Sequence, residues 1–326
     1  MAKITVLGAG GWGMALALTA FRNGHTVNIW SPFEDEVNLL LKEHTNERLL
    51  KDIYLPEDIG VTTDLSVCEG SDVTIIAVPS LAVRQTAKRI KDIKSPGIIV
   101  NVAKGFEQGT LLCLSDVIKE ELPEKPLVIL TGPSHAEEVA RRLPTSIVAA
   151  SDDILAAEKV QELMSNGYLR IYTNHDVIGA EIGGALKNVI AICVGFCNGL
   201  GLGDNTRAAL ITRGLAEMAR LGVSMGAKLD TFAGLTGIGD LVVTCMSVHS
   251  RNNRFGTLVG GGMDVETALK TVGTVEGYYA AKNAHLLCEK YGVEMPILQE
   301  CYKVLYHKRD VSETVIYLMN RPQREE

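Results

Sequence analysis

A chain of 326 residues, 46% of them hydrophobic and 22% charged, is long enough for two domains and apolar enough to bury a large core, which excludes a disordered or fibrous protein. The formal net charge of −7 argues against nucleic acid as the main partner, while leaving room for a local basic pocket. Seven scattered cysteines (Cys68, Cys113, Cys193, Cys197, Cys245, Cys288 and Cys301) form no C-x-x-C pair and no cluster at ligand spacing, so they are expected as reduced core residues, with no disulfide framework and no metal site.

The first strand is expected at Lys3–Gly8, with no charged-then-apolar leader ahead of it. Runs rich in Val, Ile and Leu follow at Thr26–Trp30, Val73–Val78, Ile98–Val102 and Leu127–Thr131, the composition of parallel strands buried on both faces. Helical patterns lie between them at Trp12–Arg22, Leu81–Lys91 and Leu111–Glu121. This alternation predicts a doubly wound, mostly parallel sheet, extended by Thr145–Ala150 and Leu169–Thr173 on either side of a helix near Ile154–Ser165.

From about residue 176 the alternation stops. Helical patterns succeed one another at Val177–Asn198, Thr206–Leu221, Ile238–Val248, Asn253–Val259, Val275–Tyr291 and Ile297–Tyr306. Glycine-rich breaks at Gly199–Gly203, Gly234–Gly239 and Gly260–Gly262 separate some of them. The fold class is therefore α/β, with residues 1–178 as the sheet domain and 179–326 as an all-helical domain. The polar end, Arg321–Glu326, is expected to fray. The most apolar stretch, Ile182 to Leu200, holds Lys187, Asn188 and Asn198. A lysine at mid-membrane costs roughly 2.5–3.5 kcal/mol, so a buried core helix is expected there and no membrane insertion.

Gly8-Ala9-Gly10-Gly11-Trp12-Gly13 fits G-x-G-x-x-G between the first strand and the first helix. The first glycine permits the tight turn, the second lets backbone approach a pyrophosphate, and the third lets helix and strand pack closely. The helix N-terminus then offers free N–H groups and a positive dipole end. A bare tight turn is the alternative, but the motif stands where dinucleotide binding requires it. The end of the second strand reads Trp30-Ser31-Pro32-Phe33, with Glu34 and Asp35 late for a ribose-binding acid and no Arg for a 2′-phosphate. NAD and NADP both stay open. Ser31 and Phe33 are either neighbours of the adenosine end or plain loop residues.

Ligands in open α/β sheets sit outside the carboxyl ends of the strands. Val78-Pro79-Ser80, Asn101-Val102-Ala103-Lys104-Gly105 and Thr131-Gly132-Pro133-Ser134-His135-Ala136 mark three such ends. Lys104 suits an anion or a carbonyl, and Gly132 and Ser134 can donate from beneath a substrate. The bland readings are a surface lysine, and turn chemistry with a helix cap. His135 reads as a capping or structural residue rather than an acid or base.

Lys187 lies in a helix of apolar and small neighbours. Burial disfavours the charged ammonium, as a group exchanging protons near neutral pH requires, and hydride reduction of a ketone needs a proton and a cation at the developing alkoxide. Gly183 and Gly184 leave room for another surface to come close. Otherwise the lysine reaches solvent or pairs with Glu181. Asp240 and Thr244 are four apart and share a helix face, where Asp240 could orient a lysine, accept substrate hydroxyls, or simply suit the helix dipole. Arg251 and Asn252, after Ser250, suit a phosphate, since Arg offers a planar fork of donors; otherwise they belong to a charged loop.

The ordered set GAGGWG at 8–13, NVAKG at 101–105, GPSHAEE at 132–138, GALKN at 184–188, GLTGIGDL at 234–241, SRNNRFG at 250–256 and VEG at 275–277 resembles the bacterial-type NAD(P)-dependent glycerol-3-phosphate dehydrogenases across almost the whole chain. The resemblance implies a Rossmann-like N-terminal domain and reversible conversion of dihydroxyacetone phosphate and sn-glycerol 3-phosphate, supplying glycerophospholipid synthesis in the cytoplasm. It implies that Lys187 is the proton donor and acceptor, with Lys104 and Asp240 completing the catalytic group. Gly8, Gly10, Gly11, Trp12, Gly13, Ser31, Lys104, Ala136, Arg251 and Glu276 would contact the cofactor. Lys104, Gly132, Ser134, Lys187, Asn188, Asp240, Thr244, Ser250, Arg251 and Asn252 would line the substrate site. A homodimer is implied, as are a small phosphorylated substrate and no nucleic-acid partner. Two departures stand out: Gly11 replaces a common Ser, and Ser31-Pro32-Phe33 lacks an Arg common among NADP users. The rivals are a related 3-hydroxyacid dehydrogenase and a non-catalytic dinucleotide-binding redox sensor.

Overall fold

The computed structural model describes residues 1–323 and 325; Arg324 and Glu326, within the end expected to fray, lie outside the described residues. Two compact units emerge. One comprises Met1–Glu107 and Leu112–Glu181, the other Gln108–Leu111 and the chain from Ile182 onward.

The first unit alternates strands and helices: β1 (Lys3–Leu7), α1 (Gly11–Arg22), β2 (Thr26–Trp30), α2 (Glu34–Glu43), β3 (Gly60–Thr62), β4 (Val73–Ile76), α3 (Val83–Ile90), β5 (Ile98–Asn101), α4 (Leu114–Glu121), β6 (Leu127–Thr131), α5 (Ala136–Ala140), β7 (Thr145–Ala150), α6 (Ile154–Met164) and β8 (Leu169–Asn174). The eight strands lie in the order β3-β2-β1-β4-β5-β6-β7-β8. All neighbours are parallel except β6 and β7, where Thr131 faces Val148 in antiparallel register. Strand order reverses between β1 and β4, and such a switch point is where open α/β sheets bind ligands. The apolar runs are buried on both faces: Ile4, Val6 and Val73 on one and Leu7, Thr74 and Ile76 on the other are each 0% exposed.

The expected strands and most helices are present, and the differences have physical causes. Leu111 has a left-handed φ of 63°, so α4 starts at Leu114 rather than at Leu111. Glu34, Asp35 and Glu36 are the first turn of α2, where acidic side chains suit the dipole. Strand β3 is only three residues long, too short to carry a pattern of its own.

The helix α7 (Val177–Gly199) begins in the first unit and continues into the second. After it come α8 (Asp204–Ser224), α9 (Leu229–Phe232), a π-helical turn at Leu235–Gly239, α10 (Asp240–Met246), α11 (Arg251–Gly260), α12 (Val265–Val272), α13 (Glu276–Tyr291), α14 (Pro296–His307) and α15 (Val311–Met319). By length and composition α7 could cross a bilayer, but its apolar stretch is 94% buried, which makes it a core helix; a second such stretch, Leu229–Met246, is 44% buried and includes a π-helical turn at Leu235–Gly239. Two buried carboxylates cap helices from a distance. Glu181 accepts the backbone N–H of Ser115 at 2.9 Å and its hydroxyl, at the start of α4. Glu217 accepts the N–H groups of Ile297 at 3.0 Å and Leu298 at 3.2 Å, at the start of α14. Arg321 is anchored by an ion pair with Glu294, so this residue of the polar end is held. The seven cysteines are unbridged and buried.

Candidate active site

In the first unit the glycine loop joins β1 to α1 at the switch point. Gly8 turns with a φ of 127°, and a Cβ there would stand 2.5 Å from the Ala77 carbonyl oxygen. A Cβ on Gly13 would stand 2.1 Å from the Gly8 carbonyl oxygen, so strand and helix meet closely. Gly10 differs: its backbone is in an ordinary extended region and a Cβ there would meet nothing within 4 Å. Protein packing therefore does not require glycine at Gly10, and the space against its backbone is open. Helix α1 has no side-chain cap and no acidic residue in its first turn, which leaves its dipole end suited to an anion. This cradle fits the pyrophosphate of a dinucleotide. Trp12 packs partly buried against the core, and a Cβ on Gly11 would make ordinary contacts with Leu50 and Ala136, so a serine would be accommodated there.

The strand ends bring a second group together. Lys104 follows β5, and its Nζ donates to the Gly132 carbonyl at 3.3 Å. The Ser134 hydroxyl donates to the same carbonyl at 2.9 Å. The turn under Lys104 is shaped by the buried Asn101, whose amide bonds both the N–H and the C=O of Ala103 at 3.2 Å. Past it, Arg84 grips Glu107 with two nitrogens at 2.5 and 2.7 Å and reaches Glu121 at 2.7 Å, a bidentate arrangement that fixes the loop. His135 occupies the N-cap position of α5, where Ala136 is the first helical residue. Ser31 is fully buried and its hydroxyl donates to Glu36 at 2.6 Å, so that group is spent on the start of α2; Phe33 is 61% exposed.

In the second unit Lys187 is buried, and its ammonium pairs with the Asp240 carboxylate and donates to the Thr244 hydroxyl at 2.7 Å. Glu181, the alternative partner, is turned to Ser115 instead. The hydroxyl of Thr244 in turn donates to the Asp240 carbonyl at 2.6 Å, so the i, i+4 face of α10 holds the lysine at two points. An adjacent carboxylate favours the ammonium, the form that can give up a proton. Gly183 permits this arrangement: a Cβ there would stand 2.2 Å from the Thr236 carbonyl, and the π-turn brings its backbone against α7 just ahead of Asp240.

The same close approach recurs along α7. A Cβ on Gly195 would stand 2.3 Å from the Asn253 carbonyl, and one on Gly256 2.1 Å from the Ile192 carbonyl, while Gly199 and Gly260 repeat the contact one turn on. Two G-x-x-x-G stretches thus lay α11 on α7. The first turn of α11 is thereby fixed near Lys187. Its cap, Ser250, accepts the Asn253 N–H at 3.2 Å. Asn252 donates to the Asn188 side chain at 3.0 Å and accepts the Gly277 N–H at 2.9 Å, which docks the start of α13 and with it Glu276. Arg251 is exposed and makes no hydrogen bond or ion pair among the described residues, so its donors face outward.

Lys187, Asn188, Asp240, Thr244, Ser250, Asn252 and Glu276 thus form one group, and Gly8 to Gly13, Lys104, Gly132, Ser134 and Ala136 fall at the carboxyl end of one sheet. Ser31, at the end of β2, is buried with its hydroxyl bonded to Glu36. Sequence reasoning gave no role to Asn198 and Asn253, which bond each other at 3.2 Å; the signals were a polar residue within the apolar run of α7 and an asparagine directly after the Arg251–Asn252 pair.

Two family models match this chain: the N-terminal part of NAD-dependent glycerol-3-phosphate dehydrogenase over residues 3–157, and its C-terminal part over residues 176–316. A glycerol-3-phosphate dehydrogenase (NAD(P)+) of Clostridium perfringens is 47% identical over 329 residues, covering 100% of this chain and 99% of the relative. One from Fusobacterium nucleatum is 48% identical, with 99% and 98% covered. The crystal structure of glycerol-3-phosphate dehydrogenase from Coxiella burnetii superposes with a TM-score of 0.94 at 39% identity, covering 98% of this chain and 99% of that one. With the glycine cradle, the buried lysine pair and matches along nearly its whole length, this chain belongs to the NAD(P)-dependent glycerol-3-phosphate dehydrogenase family.

Proposed function

We propose that this protein interconverts dihydroxyacetone phosphate and sn-glycerol 3-phosphate with NAD or NADP, as a cytoplasmic homodimer supplying glycerophospholipid synthesis. The observation that carries the chemistry is the buried Lys187 ammonium, held by Asp240 and Thr244 and joined through Asn188 and Asn252 to the turn that presents Arg251.

When bound, the nicotinamide supplies or takes up the hydride. The backbone from Gly8 to Gly13 receives the pyrophosphate, with Trp12, Ala136 and Glu276 as further cofactor contacts. Lys187 gives a proton to the carbonyl oxygen as it becomes an alkoxide, and takes it back in the reverse direction. Asp240 and Thr244 hold Nζ in place. Lys104, with Gly132 and Ser134, adds a second cation and donors for the substrate. Arg251, Asn252 and Ser250 grip the phosphate. In this reading residues 1–178 carry the dinucleotide and 179–326 carry the proton donor and the phosphate grip. The burial of α7 and the net charge of −7 favour a protein that neither inserts in a membrane nor uses nucleic acid as its partner. Relatives at 47% identity carry the dehydrogenase name, and no observation favours the hydroxyacid or sensor rivals.

The test is consumption of NADH and of NADPH, run separately, with dihydroxyacetone phosphate and with dihydroxyacetone. Rapid turnover of the phosphorylated ketone alone is expected, and the ratio of the two rates gives the cofactor preference. Equal rates for both ketones would remove the phosphate grip; no turnover despite cofactor binding would overturn the reading.

A further inference from the structure

Arg251 has no bonded partner among the described residues, so its placement rests on the backbone that carries it. The loop ahead of it has little packing of its own: Met246 is 59% exposed and Val248 90%. Besides the bonds of Asn252 to Asn188 and Gly277 and the glycine contacts of α11 on α7, Asn253 ties this turn down. Its Nδ2 donates to the Cys245 carbonyl at 2.9 Å, one residue past Thr244, and its Oδ1 accepts from Asn198 Nδ2 at 3.2 Å. Its backbone N–H closes on the Ser250 hydroxyl at 3.2 Å. Asn198 is held in turn, since its Oδ1 accepts from Arg207 Nη1 at 3.0 Å, and Arg207 is paired with Asp204. A polar chain therefore runs from α8 through α7 and α11 to the end of α10, closing the loop between Thr244 and Ser250 at its base.

We infer that Asn253 and Asn198 are positioning residues for phosphate recognition, fixing the Ser250–Asn252 turn so that Arg251 meets the phosphate already in place. This rests on the reading of Arg251 given above. Neither side chain touches the reacting groups in this account; both act through Arg251, and preorganisation lowers the ordering cost of binding.

The experiment compares Asn198→Ala, Asn253→Ala and Arg251→Ala, singly and as the Asn253→Ala/Arg251→Ala double variant. Either asparagine variant should raise KM for dihydroxyacetone phosphate by about 5-fold to 30-fold, which corresponds to about 1–2 kcal/mol of lost binding free energy. The kcat should stay within about threefold and KM for NADH within about twofold, and the double variant should be no worse than Arg251→Ala, because groups acting through one another are non-additive. Calorimetric binding of inorganic phosphate reads the same claim without turnover: weaker binding in the asparagine variants supports it, and equal binding overturns it even where the wild-type enzyme is active. A lowered Tm with unchanged KM, or full additivity with Arg251→Ala, would show a merely structural role. Failure of wild-type turnover would instead strike the proposed reaction, with phosphate binding still deciding the positioning claim.

Discussion

Lys187 and Asp240 face one another as an ion pair with side chains only 7% and 1% exposed. Removing one member of such a pair strands a charge, which typically costs about 3–5 kcal/mol. Asp240→Ala should lose stability on that scale in urea unfolding, and adding Lys187→Met should recover part of it by removing the stranded ammonium. No recovery would mean that Asp240 stabilises the fold by something other than its pairing with Lys187.

The glycine loop separates packing from binding. Gly13→Ala should destabilise the protein by about 2 kcal/mol or more, because its Cβ would strike the Gly8 carbonyl. Gly10→Ala has open space and a permissive backbone, so its Tm should stay within about 2 °C of wild type. Yet its methyl group would stand in the cradle and weaken NADH binding, by about tenfold or more. Unchanged affinity in Gly10→Ala, read by fluorescence titration, would move the pyrophosphate elsewhere.

The Glu181 carboxyl is pushed up to about 7 by burial, with the hydrogen bonds from Ser115 pulling the other way. The folded protein thus keeps a proton that the unfolded chain releases near the ordinary value of 4.5. Stability from this group is complete below that value and is lost as pH rises through about 7. Glu217, also raised to about 7 by burial, adds in the same direction. Glu181→Gln should flatten the decline in unfolding free energy between pH 5 and pH 8, leaving the part due to Glu217. An unchanged slope would show that Glu181 is ionised in the folded protein across this range.

Arg251→Ala removes an exposed fork of donors that braces nothing else among the described residues. Its Tm should therefore stay near wild type, while KM for dihydroxyacetone phosphate rises by about tenfold or more, the loss expected for a charge-assisted bond. An unchanged KM takes Arg251 out of the phosphate site.

The sheet was legible because short Val, Ile and Leu runs alternate with helical patterns along the first half of the chain, and the lysine pair because Asp240 and Thr244 share a helix face. The reversal of β7 was not legible, since antiparallel and parallel burial leave the same apolar run at Thr145–Ala150. Helices α12 and α15 were overlooked although Asp264 and Asp310 cap them, the latter with Glu313 three residues on, a recognisable start signal. The π-turn at Leu235–Gly239 falls in the glycine-rich break at Gly234–Gly239, which signalled an interruption but not its form. Ser31 stands at the strand end that position alone singled out; position did not show that Glu36, in the first turn of α2, accepts its hydroxyl.

The central claim is that Lys187 moves the proton, and Lys187→Arg tests it most directly. Arginine keeps the positive charge opposite Asp240, so the fold and cofactor affinity should survive, but a guanidinium does not give up its proton at neutral pH. With dihydroxyacetone phosphate and saturating cofactor, kcat should fall by about 10²–10⁴ while NADH affinity is kept. A folded, cofactor-binding Lys187→Arg enzyme with near-normal kcat would contradict the account.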